Sequence, residues 1–206
     1  MTTDTRESLL RAGEQLFAEH GTTGVSAREI VRTAEVGNAS ALQYHFGDRE
    51  GLVQAVLARH EERIDVCRHE LLDALDGGAG LRELAEALAL PLADELTTPS
   101  GRRYLRIAAE VINRPGLRIE AAEVDPASSL LRWRARVEPL LDPAAVRLHR
   151  RFAAVRFVSG ELGRRAAEDH DRGHDLFVSH LLDLVVALLA CPVSAETGRL
   201  LTGRSS

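Results

Sequence analysis

Asn38, Ser40, Gln43, Tyr44 and His45 lie close together in the stretch NASALQYHFGDRE, which runs from Asn38 to Glu50. Asn and Gln each carry an amide whose donor and acceptor match the major-groove edge of adenine, while Ser and Tyr hydroxyls and a His imidazole can meet phosphate oxygens. Ala39 is small enough to approach a thymine methyl closely. A helix that only filled a core would space its apolar groups by three and four residues. Here Gln43, Tyr44 and His45 are contiguous between Leu42 and Phe46. If Ala41, Leu42 and Phe46 face inward, then Asn38, Ala39, Ser40, Gln43, Tyr44 and His45 are left for another surface.

Other groupings carry less chemistry. His170, His174 and His180, with Glu168 and Asp169 nearby, offer metal-type ligands, but Gly173 interrupts the helical spacing that would align them. A polar loop between two helices is the expected reading, with no metal site. A helical metal-binding or hydrolytic protein built on those histidines stands as a distant alternative. Cys67 and Cys191 have neither redox nor metal spacing and read as reduced, half-buried thiols. Gly77-Gly78-Ala79-Gly80 lacks the Lys-Ser/Thr of a phosphate loop, and the chain has no nucleophile elbow. An enzyme is the poorest fit, and no cofactor is expected. The net charge of -5 argues against a generic polyanion binder, whose affinity would rest on basic groups neutralising phosphates.

The elements that must hold the stretch are helical. Strand alternation is absent, and Ala, Leu, Arg and Glu recur at helical spacing, so the fold class is all-α with about nine helices. The first helix is expected from about Thr5 to His20, with Leu9, Leu10, Gly13, Leu16 and Phe17 on its inner face. A second starts after Ser26, whose hydroxyl caps it while Glu29 closes a capping box. A third covers Ala39 to Phe46, and a long fourth runs from Arg49 to about Leu75. Further helices are expected at Leu81–Leu96, Gly101–Asn113, Ser128–Leu141, Pro143–Asp169 and Asp175–Leu189, separated by Gly- and Pro-bearing breaks. Three short helices with a tight turn before the last form a helix-turn-helix, whose final helix enters the major groove. The domains are then a head over 1–50, a helical body over 51–193 and a flexible tail over 194–206.

The segment SAREIVRTAEVGNASALQYHFGDREGLVQAVL resembles the DNA-binding region of the TetR family of transcriptional regulators. It has the opening Ser26 and Arg28, then Tyr44-His45-Phe46, Gly47, and Arg49-Glu50 with Leu52 opening the fourth helix. It departs from the commonest pattern in a turn one residue longer, as in members reading Asn-x-Ser-Ala, and in Glu35, which replaces the usual glycine after the second helix. The resemblance implies base contacts from Arg28 and Gln43 and phosphate contacts from Tyr44, His45 and Arg49. It also implies that the N-terminal amides of the fourth helix face a phosphate. Over the first fifty residues acids outnumber arginines, so the acids should turn away from the duplex.

For the body, the resemblance implies a small-molecule pocket among the middle helices, with Tyr104, Ile107, Glu110, Val111, Trp133 and Arg134 as candidate lining. From Val178 to Ala190 apolar residues occur nearly all round the helix, as expected of one that packs on its own domain and on a second copy. The expected dimer interface comprises Phe152, Arg156, Phe177, Leu181, Leu184, Val185 and Leu188. The longest apolar run is too short to span a bilayer and contains Asp183, and the N-terminus lacks signal-peptide order, so a cytoplasmic location is expected. These readings converge on a homodimeric repressor bound to a near-palindromic double-stranded operator and released by an effector of unknown identity. A variant of the same fold would bind a protein partner instead of a ligand.

Overall fold

The computed structural model describes residues 2–38, 40–114, 127–168 and 173–203. Ala39 and His170 therefore lie outside the described residues, as do the breaks at Pro115-Gly116 and Asp125-Pro126. Among the described residues there are eleven α-helices, two short 3-10 turns and no strand. The head consists of α1 (Thr2–His20), α2 (Ala27–Thr33) and α3 (Ala41–Phe46), and α4 (Arg49–Ala74) joins it to the body. The body continues with α5 (Leu81–Ala93), α6 (Pro99–Ile112), α7 (Ser129–Val137), α8 (Pro143–Arg147), α9 (Arg150–Ala167), α10 (His174–Ala190) and α11 (Ala195–Thr202).

Two differences raise the helix count above nine. The expected single helix over 143–169 is split, because His149 adopts a left-handed backbone with φ 56° and its amide bonds Val146 at 3.0 Å. Histidine enters that region more readily than a β-branched residue does. The second difference is the C-terminal segment. Ser194 caps α11 by accepting from the Thr197 amide, and Arg147 donates to the Leu201 carbonyl, so the stretch expected as a loose tail contains a helix.

One core runs through both parts. Leu9, Leu10, Phe17, Ile30 and Leu42 of the head join Leu52, Val53 and Val56 of α4, and the same cluster continues to Leu88, Ile107, Trp133 and Leu162. The α6–α9 crossing is the most extensive in the body. A Cβ placed at Gly163 would lie 2.4 Å from the Ala109 Cβ and 3.1 Å from the Leu105 carbonyl oxygen, so only glycine permits this approach. Trp133 fills the centre and donates its indole N–H to Leu84 O at 2.7 Å.

Helix α10 corrects the expected interface. Leu181 and Val185 are buried within the protomer, because α10 packs that face on α5 and α9. Leu184, 39% exposed, Leu176, Arg156 and the half-buried Phe152, Phe177 and Leu188 lie toward the outside. Phe152, Arg156 and Leu188 line one groove of about 550 Å³, and Leu176 and Phe177 line another of about 430 Å³. No single helix among the described residues is long and apolar enough to cross a membrane.

Candidate nucleic-acid interface

Local rules place the recognition stretch residue by residue. Ser26 caps α2 by accepting from the Glu29 amide at 3.2 Å. The C-terminal end of α2 closes with two reversed bonds, Val36 N to Val31 O at 3.2 Å and Glu35 N to Arg32 O at 3.1 Å. That pair is a Schellman motif, and its left-handed position is filled by Glu35 at φ 54° where glycine would be at ease. The turn then tightens on Asn38, whose Oδ1 accepts from both the Ser40 amide (3.0 Å) and the Ser40 hydroxyl (2.9 Å). The Asn38 side-chain oxygen and the Ser40 hydroxyl hydrogen are thus engaged with one another. The recognition helix starts at Ala41, two residues later than the spacing suggests.

On α3, Ala41 and Leu42 are buried, and Gln43 and Tyr44 project into solvent. Tyr44 is 80% exposed and meets His45 edge to face at 5.0 Å. Phe46 packs on the core under the Arg6 guanidinium, 5.3 Å from its ring centroid. Thr5, Val36, Asn38, Ala41, Tyr44 and His45 line a groove of about 440 Å³ between α1, the turn and α3. Arg28 is exposed on α2. Gln43, Tyr44 and Arg28 are therefore the side chains most available to an outside partner.

Two sequence expectations change in character. Arg49 donates Nη1 to the carbonyls of Thr23 (3.2 Å) and Val25 (3.3 Å), so it first locks α4 to the α1–α2 connection. At the start of α4, Asp48 accepts from the Gly51 amide at 2.8 Å, so its carboxylate occupies the helix end where a phosphate was expected. Three of the acids within the first fifty residues are held in ion pairs. Glu7 pairs with Arg59 of α4 at 3.1 Å, Glu14 with Arg103 of α6 at 2.7 Å, and Glu50 with Arg114 at 3.0 Å.

Those pairs reveal a second set of functional candidates, on the seam between head and body. Glu14 is 4% exposed and accepts from Ser100 Oγ at 2.8 Å as well as from Arg103. Ser100 Oγ lies 3.3 Å from His60 Nε2, and His60 Nδ1 lies 2.6 Å from Glu95, which also pairs with Arg63. Burial acts against ionisation of Glu95, but the hydrogen bonds and charges of His60 and Arg63 outweigh it and hold the carboxyl below its ordinary range. Gly101 sits directly on Glu95, where a Cβ would lie 2.2 Å from its carbonyl oxygen. At the far end of α6, Glu110 accepts from the Thr22 amide at 2.9 and 3.1 Å and from its hydroxyl, and Arg114 donates to Thr22 Oγ1 at 2.6 Å. Sequence reasoning overlooked this seam because its partners are far apart in the chain. The only hint was the acid excess of the head.

The expected pocket residues differ in their surroundings. Tyr104, Ile107 and Trp133 are buried in the core, Glu110 is bound to Thr22, Val111 is half-buried, and Arg134 lies over the Phe152 ring at 5.7 Å. His174 is half-buried and His180 exposed. Among the described residues no group of three or more His, Cys, Asp or Glu side chains is placed to hold a metal ion.

A short helix-turn-helix presenting one polar helix, mounted through a long fourth helix on a helical body, defines a class of helix-turn-helix proteins. Residues 9–56 match the family model for "Bacterial regulatory proteins, tetR family". The match covers most of the head and the opening of α4, and over nearly its whole length the chain shares the fold of a solved TetR-family regulator. It is 40% identical over 82 residues to the HTH-type transcriptional repressor NemR of Escherichia coli K12, a match covering 40% of this chain and 41% of that repressor. The aligned part thus spans about two fifths of the curated relative's length. Among solved structures, native NalD, the secondary repressor of the MexAB-OprM multidrug efflux pump in Pseudomonas aeruginosa, superposes with a TM-score of 0.53. The identity there is 23%, over 94% of this chain and 100% of that one. A TetR-family regulator from Streptomyces coelicolor gives 0.51 at 20% identity, over 91% and 95% of the two chains. These structural likenesses concern the fold.

Proposed function

We propose that the chain is a sequence-specific DNA-binding regulator of transcription that acts as a homodimer and is released from its operator by a small molecule. The observation that carries this reading is α3, where Gln43 and the exposed Tyr44 face solvent on a helix whose opposite side is fixed in the core. Gln43 reads a base edge, Arg28 assists from α2, and Tyr44 and His45 meet phosphates. Ser26, Asn38 and Ser40 act mainly by holding the turn and the two helix starts in register.

Two copies pair through the outward faces of α9 and α10, with Phe152, Arg156, Phe177, Leu184 and Leu188 at the contact. That pairing sets two α3 helices about one DNA turn, roughly 34 Å, apart on a near-palindromic site. The effector acts through α6, because Glu110, Arg114, Ser100 and Arg103 of α6 and its C-terminal extension grip Thr22, Glu50 and Glu14 of the head and the α4 start. A ligand that favours a shifted α6 moves both heads, within the limit of its differential affinity for the two states. Repression with release on ligand binding is the regulatory sense adopted, in keeping with the repressors the chain resembles.

The test is selection of bound duplexes from a random pool, followed by affinity at several salt concentrations for the winner. A near-palindromic site bound by wild type and lost on Tyr44→Ala is the expected result. Recovery of no sequence above background would remove the DNA-binding reading.

A further inference from the structure

Arg68, like Arg151, is a buried cation of the body. It lies on the α4 face that also carries His60 and Ile64, and it is 6% exposed. Its Nη1 donates to Ser129 Oγ at 3.1 Å, while its Nε is shielded from solvent and meets no acceptor from the protein. The nearest acid is already committed, since Asp65 accepts from the Ser129 amide (2.8 Å) and hydroxyl (2.6 Å) and pairs with His69 at 3.4 Å. Burial acts against ionisation of Asp65, yet those Ser129 bonds hold its carboxyl below the ordinary range, so it stays an anion that belongs to Ser129. Arg68 thus reaches a negative charge only through an intervening hydroxyl. A buried guanidinium with an idle donor is costly unless something else completes it.

The surroundings have the character of a recognition site. Tyr104 of α6 is buried and stacked on His60, with centroids 4.8 Å apart and planes at 18°, and among the described residues its phenol meets no hydrogen-bond partner. Burial pushes its ionisation above the ordinary tyrosine range, so the O–H remains a donor. Ser129 and Trp133 lie four residues apart on α7 and so share a face. Three helices, α4, α6 and α7, therefore bring together a cation, a donor hydroxyl and aromatic surface.

We propose that Arg68, Tyr104 and Ser129 form an anion-recognition subsite, and that the effector of this chain is a small aromatic carboxylate whose carboxyl group pairs with the Arg68 guanidinium. The inference rests on the ligand-responsive reading above and gives that ligand its chemical class. A carboxylate takes the idle Arg68 Nε–H and a second donor from Tyr104, and its ring lies among His60, Tyr104 and Trp133. Entry requires α4, α6 and α7 to separate slightly. Two of them, α4 and α6, hold the head, so the same movement reaches the recognition helices.

The test is calorimetry and thermal shift on the full chain without DNA, using benzoate, 4-hydroxybenzoate and 1-naphthoate against benzamide and 1-naphthamide. Carboxylates are expected to bind wild type at least tenfold more tightly than the matched amides. Arg68→Met should lose that preference while folding as well as wild type, and Tyr104→Phe should weaken carboxylates several-fold. If Arg68→Met fails to fold, Arg68→Lys, which keeps the charge but not the idle Nε–H, should retain only part of the preference. Equal binding of acids and amides, an unchanged response in Arg68→Met, or no response to any carboxylate overturns the proposal and leaves Arg68 as a buried structural cation. Because these readouts need no DNA, they separate failure of the subsite from failure of the regulatory reading, which is tested by duplex selection on ligand-free protein.

Discussion

The recognition helix and the seam beneath it use polar side chains in opposite ways. On α3, the Gln43 and Tyr44 side chains stand in solvent with no side-chain hydrogen bond among the described residues. On the seam, Glu14, His60, Glu95 and Ser100 are largely buried and each is bonded to another. The first arrangement is poor as internal structure and good for an external partner. The second is invisible from outside and fixes how head and body sit together. Removing a side chain from the first set should therefore change binding with little effect on stability, and removing one from the second should do the reverse.

Glu95 gives the largest expected effect. Glu95→Ala strands the buried His60 and releases Arg63 to solvent, and loss of one partner of such a buried pair costs about 3 kcal/mol. Denaturant unfolding at neutral pH measures it, and a loss under 1 kcal/mol would mean the seam is dispensable. The pH dependence has a definite sign. A carboxyl held below its ordinary range contributes stability that is complete above that range and is lost as pH falls through its depressed folded value. Wild type should lose stability as pH drops below the ordinary glutamate range. Glu95→Gln should start lower at neutral pH and show a shallower acid decline, and parallel curves would count against the assignment.

Tyr44→Ala tests the other side of the contrast. The side chain is exposed and outside the core, so the melting temperature should stay within about a degree, surface substitutions being worth within ±0.5 kcal/mol. Affinity for the selected operator should fall tenfold or more. Arg49→Ala lies between the two cases, because its guanidinium holds the Thr23 and Val25 carbonyls. It should lower both stability, by about 1 kcal/mol, and operator affinity. Should Tyr44→Ala instead unfold the head while Arg49→Ala leaves it intact, the division between reading and positioning residues is wrong.

Much of the head was legible in the sequence because its signals are local. Ser26 as a cap, the break at Gly37-Asn38 and the contiguous Gln43-Tyr44-His45 each act within one turn of chain, and spacing alone reveals them. The body was legible as helices but not as contacts. Leu181 and Val185 were expected at a dimer contact because α10 is apolar all round, and periodicity cannot say which side of such a helix meets its own core. The split at His149 escaped because a left-handed residue leaves no mark on hydrophobic spacing. The pairs Glu14–Arg103, Glu50–Arg114 and Glu110–Thr22 join residues scores of positions apart, so only the folded chain brings them into view.

The smallest effect falls on the turn that joins the two arrangements. Glu35 occupies the left-handed position of the Schellman motif closing α2, and that conformation costs an ordinary residue about 1 kcal/mol that glycine does not incur. The position is exposed, and Glu35 makes no ion pair among the described residues. Glu35→Gly should stabilise the head by roughly 0.5–1 kcal/mol. Because the substitution also removes an acid beside the recognition helix, Glu35→Gln is the necessary comparison, with the charge gone and the backbone strain kept. If strain dominates, only the glycine variant melts higher, while both variants share a modest, salt-sensitive gain in operator affinity. Equal melting of the two would place the effect in electrostatics, and the turn would then owe its shape to the Asn38–Ser40 bonds rather than to the close of α2.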